Sequence, residues 1–156
     1  MDSNYSKNAT AEFASHIYKT SKMGAQSIND VLPKVKSNSS KEKDDFISEL
    51  TEEYSEYEKI SARAEQLLHS MSVKPKEENI MAKMSAKVGI MMNTMNDPGI
   101  SHVAQMMIEG LSMGVTDTTR RIRKAEEDKC APEALKLGSE LISFQEKSTE
   151  KMKQYL

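Results

Sequence analysis

The chain has 156 residues, of which 37% are apolar and 29% are charged, and this length suits a single domain over residues 1–156. Its formal net charge of −2 argues against nucleic-acid binding, which requires a basic surface. Aromatic residues make up only 5% of the chain and tryptophan is absent, which disfavours sites that hold ligands against stacked rings.

Three further features indicate where the protein resides. Cys130 is the only cysteine, so neither an internal disulfide nor a cysteine-rich zinc site can form. The first residues are polar, unlike a secretory signal, and no run approaches the roughly 18 apolar residues of a membrane-spanning helix. We expect a cytoplasmic protein without a membrane partner, in which residues 1–9 form a flexible N-terminus.

The first half of the chain predicts two long helices. Apolar side chains recur at steps of three, four or seven over residues 10–35 and again over residues 40–72, which is the spacing of one helix face. Pro33 is expected to kink or end the first helix in its last turn. Because the connection near residues 37–40 is short, the two helices should pack as an antiparallel hairpin.

The second half predicts three more helices, with breaks at Pro75, Pro98 and Pro132. These helices cover residues 76–95, residues 98–129 and residues 132–156, and no strand pattern is present. We predict an all-α fold: an antiparallel four-helix bundle with an additional shorter helix between the second and fourth helices. A crossover connection and a simple up-and-down order both fit this pattern.

These helix lengths and connections, over residues 10–156, resemble the ferritin-like helical-bundle superfamily. The stretch from Ser101 to Gly114 is similar to small bacterial helical proteins, a likeness that implies no activity. Active members of the superfamily hold two metal ions with inward carboxylates and Glu-x-x-His pairs, in which both ligands lie on one side of a helix. No Glu-x-x-His occurs in this chain, so the resemblance implies the fold without a catalytic residue.

A different set of residues forms the metal-site hypothesis. Glu12 and His16 are spaced i, i+4, as are Glu65 and His69, and a hairpin brings both pairs to one end of the bundle. Carboxylates and imidazoles together could hold zinc or iron. A helical wheel puts all four off the centres of the apolar stripes, which favours solvated surface positions over a metal site.

Several polar residues fall on or near apolar stripes, foremost Glu53 and Gln145. An ionised carboxylate is costly to bury alone, so Glu53 should be paired, protonated or close to water. A polar network in the core is the favoured interpretation, to which Thr118 could contribute a hydrogen bond. A ligand-binding or catalytic role is the alternative, for example in a small-molecule pocket around Glu53, Tyr54 and Tyr57.

Eight of the twelve methionines lie between Met81 and Met113. Thioether side chains are flexible and adapt to varied partners. Met81, Met92 and Met106 fall to the side of the apolar stripes, where they could cover a groove or contact another subunit. A Cu(I) site is disfavoured because the converging sulfurs would have no histidine or cysteine beside them.

The sequence therefore favours a non-enzymatic helical bundle without a cofactor, which acts by self-association as a homo-oligomer or by binding a protein partner. A degenerate ferritin-like metal-binding protein is the alternative.

Overall fold

The computed structural model describes residues 4–37, 40–75 and 99–156, and every regular element in these ranges is a helix. The predicted all-α class is therefore confirmed. The additional helix predicted over residues 76–95 lies outside the described residues. The described elements are α1 (Lys7–Lys36), α2 (Lys43–Ser70), α3 (Ile100–Glu127) and α4 (Pro132–Met152), and a 3₁₀ turn (Lys153–Tyr155) follows α4.

The start of α1 lies earlier than the predicted Thr10, because Ser6 supplies a helix cap. The Ser6 hydroxyl oxygen accepts a hydrogen bond from the Ala9 backbone N–H at 3.0 Å, which satisfies one of the donors left free at a helix N-terminus. The backbone N–H of Ser6 donates to the carbonyl oxygen of Lys129 at 2.8 Å. Part of the segment that was expected to be flexible is thus helical and attached to the rest of the fold.

The turn between α3 and α4 is closed by local backbone chemistry. Lys129 adopts a φ of 59°, the left-handed conformation that commonly ends a helix. The backbone N–H of Cys130 donates a hydrogen bond to the carbonyl oxygen of Ala125. Pro132 then occupies the first turn of α4. Backbone N–H groups in a first turn have no acceptor within the helix, so a proline, which lacks the N–H, costs no hydrogen bond there. This short turn makes α3 and α4 antiparallel neighbours.

The bundle consists of two antiparallel hairpins, α1–α2 and α3–α4, packed side by side. The contacts between the hairpins join early residues of one helix to late residues of the other. Between α1 and α3, Ser6 contacts Lys129 and His16 contacts Thr118. Between α2 and α4, Phe46 contacts Tyr155 and Tyr57 contacts Gln145. Both pairs of helices are therefore antiparallel, so α2 and α3 run parallel. The C-terminal end of α2 and the N-terminal end of α3 lie at opposite ends of the bundle.

All four helices supply apolar side chains to one core. The exposed fraction of its largest members is below 2%; they include Ile17, Ile28, Phe46, Leu50, Leu68, Val103, Leu137 and Leu141. Full burial of one such side chain is worth about 1.5–3 kcal/mol. This core fixes the positions of the polar groups that lie within it.

Candidate functional site

The most unusual group in the interior is the carboxyl of Glu53, in the middle of α2. Glu53 is 2% exposed, and among the described residues neither carboxylate oxygen has a hydrogen-bond partner of normal geometry. Burial and the charge of nearby Glu49 raise the pKa of Glu53 to about 8, against weaker opposing effects of the Ser148 hydroxyl and the Lys151 ammonium. Glu53 is therefore mainly a neutral carboxylic acid at pH 7.

One turn further along α2, Tyr57 extends this polar region toward α4. Gln145 donates from Nε2 to the Tyr57 hydroxyl oxygen at 3.2 Å, and both residues are buried. Burial raises the pKa of the Tyr57 phenol, so the phenol keeps its proton at physiological pH. We call Glu53, Tyr57, Gln145 and Ser148 the central polar network.

Two glycines on the opposite hairpins give this network its space. A side chain at Gly24 of α1 would overlap the Tyr57 ring, and one at Gly114 of α3 would approach Gln145 Nε2 to 2.5 Å. The Phe144 ring packs edge-on against Tyr57, with the ring centroids 4.8 Å apart. All four helices therefore hold the network in place, with Glu53 almost fully buried within it.

His16 is buried between α1 and α3, whereas the sequence indicated a solvated position. Its Nε2 lies 2.8 Å from the Thr118 hydroxyl oxygen, and its Nδ1 lies 3.7 Å from a carboxylate oxygen of Asp117. Burial, reinforced by the positive charge of Arg121, lowers the pKa of His16 to about 4, although Asp117 acts in the opposite direction. We assign neutral imidazole with the proton on Nδ1 and Nε2 accepting from Thr118.

The other three residues of the metal hypothesis lie in surroundings that differ from those of His16. Glu12 is exposed and borders a cavity of about 90 Å³ between α1 and α3, together with Arg121. On the surface of α2, Nε2 of His69 lies 3.9 Å from Oε1 of Glu65. Within the described ranges, no group of three or more His, Cys, Asp or Glu side chains is placed to hold a metal ion. The structure thus does not unite the two pairs, and a metal site there stays a prediction.

Three of the eight clustered methionines lie on α3, within the part of the chain that the structure describes. Met113 is 63% exposed, Met106 is half-buried against the core and Met107 is buried; Met81 and Met92 lie outside the described residues. One row of exposed side chains runs along the part of α3 that faces away from the core. We call this row the α3 outer stripe; it consists of His102, Glu109, Met113, Thr116, Arg120 and Glu127.

Sequence reasoning missed several members of these sites. No pattern in the sequence points to Asp117 or Ser148, and the helical wheel predicts a surface position for His16. The signal that could have found His16 is its position beside Phe13 and Ile17 on a helix with many small apolar residues. Such a helix buries a wide arc rather than one narrow stripe, and α1 indeed packs against α2, α3 and α4.

Comparisons with protein-family models, with curated proteins and with solved structures give no match for the chain. None of the described helices combines the length and the apolar character that crossing a bilayer requires.

Proposed function

We propose that the chain is a non-enzymatic helical bundle that acts by associating with protein, and that the α3 outer stripe makes the contact. The observation that carries this proposal is Met113, a large apolar side chain that is 63% exposed near the middle of a long helix. Exposed thioethers suit protein contacts because they are apolar and change shape at little cost. Met106, half-buried beside the stripe, extends the apolar area.

Gly110 supports the same conclusion from the backbone. A glycine inside a helix costs about 1 kcal/mol relative to alanine. At Gly24, Gly114 and Gly138 a neighbouring side chain occupies the space of the missing Cβ, whereas at Gly110 the described residues leave that space empty. The backbone of α3 is therefore open to close approach by another chain near Met113.

The positions of the perturbed groups favour association over catalysis. Glu53 and His16 have the largest changes in pKa among the described acidic and histidine residues, and both are buried. Strongly perturbed groups often mark an active site, but a catalytic group must also meet its substrate. The polar interior is better explained as a device that aligns the helices.

Site-specific photocrosslinking tests the proposal. A photoreactive amino acid at position 113 should capture protein in the cell, whereas the same group at Lys136, on the exposed side of α4, should not. Position 156 is a second control, because Leu156 is also 63% exposed but lies at the chain end. Equal capture at all three positions, or none at position 113, would reject the α3 outer stripe as a contact surface.

We also propose a relationship to the ferritin-like bundles. It is supported by the parallel directions of α2 and α3, whose joined ends lie at opposite ends of the bundle, since a crossover connection of this kind occurs in those folds. A cytoplasmic location fits the single thiol, Cys130, which is buried and whose pKa is raised by burial.

A further inference from the structure

The α3 outer stripe has the same pattern in both directions along the helix. Its members pair symmetrically about the peptide between Gly114 and Val115: position 102 with 127, position 109 with 120, and position 113 with 116. A surface with this property can contact an identical surface across a two-fold axis, which is the commonest symmetry of homodimers. We propose that two copies of the chain form a dimer in which α3 packs antiparallel against α3.

The charges along the stripe are complementary in this arrangement. In an antiparallel pair, Glu109 of each copy lies opposite Arg120 of the other, and His102 lies opposite Glu127. At a rise of about 1.5 Å per residue, positions 109 and 120 both lie about 8 Å from the symmetry axis, so the opposite charges meet in register. A parallel pair would instead put like charges together.

The ion pairs within α3 leave Arg120 available for this contact. Arg121 lies 3.5 Å from Asp117, and Lys124 lies 2.8 Å from Asp128 in the same helix. Across the described part of the chain, no carboxylate lies within 4 Å of the Arg120 guanidinium. A partner carboxylate at this position would add an ion pair without breaking one.

The middle of the stripe is shaped for close packing. Met113 of one copy meets Thr116 of the other on both sides of the axis, and Gly110 adds no side chain beside them. The axes of two packed helices lie about 8–10 Å apart, at which distance the thioethers would be covered. This inference rests on the proposed function and specifies its partner as a second copy of the chain.

A charge-swap experiment tests the dimer. Light scattering after size-exclusion chromatography, with sedimentation equilibrium, should show a dimer for the unaltered full chain. Glu109→Arg and Arg120→Glu should each raise the dissociation constant by about tenfold or more, because each variant puts two like-charge pairs across the axis. An equimolar mixture of the two should form a heterodimer, and the chain with both substitutions should recover the homodimer.

Matched controls are Glu146→Arg and Lys136→Glu on the exposed side of α4, which should leave the dissociation constant unchanged. Far-ultraviolet circular dichroism and thermal midpoints verify that each variant folds. A dimer that persists in both single variants, or a mixture that fails to associate, overturns the antiparallel α3 contact and leaves the proposed function standing. A monomeric chain whose position 113 captures a different protein does the same, whereas a monomer that captures nothing removes both.

Discussion

Replacing Glu53 by glutamine should make the bundle more stable in alkaline solution than the unaltered protein. Glutamine has the shape of the protonated acid but cannot ionise. The carboxyl has a pKa of about 8 in the folded protein and 4.5 when exposed. The folded state therefore binds this proton more tightly than the unfolded chain, and stability that is present below pH 4.5 is lost as the pH rises to 8.

The size of the effect follows from these two values. Each tenfold difference in proton affinity corresponds to 1.36 kcal/mol, so the unaltered protein should lose about 5 kcal/mol between pH 4.5 and pH values above 8. About 3 kcal/mol of this loss is already present at pH 7. The loss is a large share of the 5–15 kcal/mol that typically stabilises a folded domain.

Urea unfolding followed by circular dichroism at pH 5, 7 and 9 measures this prediction. Glu53→Gln should resemble the unaltered protein at pH 5 and exceed its unfolding free energy by several kcal/mol at pH 9. Glu56→Gln, an exposed change on the same helix, is the matched control and should follow the unaltered protein at every pH. If the Glu53→Gln difference stays constant from pH 5 to 9, the buried carboxyl does not titrate as the structure implies.

Three other substitutions test the burial and packing of single positions. The pKa of His16 is lower in the folded protein than in the unfolded chain, so the free energy of unfolding should fall by about 3 kcal/mol between pH 6.5 and pH 4. In urea unfolding experiments, His16→Gln should abolish this pH-dependent loss. Gly24→Ala should destabilise by about 1–3 kcal/mol by displacing the Tyr57 ring, measured by thermal unfolding; an unchanged midpoint would contradict this packing. At low protein concentration, Gly110→Ala should raise the free energy of unfolding by up to about 1 kcal/mol, because alanine favours the helix and the space for its Cβ is empty. A lower thermal unfolding midpoint would show that another group occupies this space.

The four described helices were predictable because their apolar positions repeat with the period of one helix face. The end of α3 and the start of α4 follow directly from Pro132. The start of α1 was harder to predict, because the cap at Ser6 is reinforced by a hydrogen bond to Lys129, a residue distant in sequence. Local patterns do not record such contacts.

The interior polar groups divide in the same way. Glu53 lies on the centre of its apolar stripe, so the wheel alone indicated its unusual environment. His16 lies off the centre, and its burial depends on three helices surrounding α1, which a single-helix projection cannot include. The sequence shows Thr118 only as a polar residue on a buried helix face. Its hydrogen-bond partner, His16, follows from the tertiary fold.

The hydrogen bonds between the start of α1 and the α3–α4 turn have a consequence for biosynthesis. The first hydrogen-bonded contacts of α1 with this turn, Ser6 to Lys129 and Thr10 to Ala131, join positions separated by most of the polypeptide. On the ribosome, the α1–α2 hairpin can assemble early, but these contacts must wait until residue 131 has emerged. A fusion partner placed directly before Ser6 would crowd this late closure, so it should be joined there through a long linker.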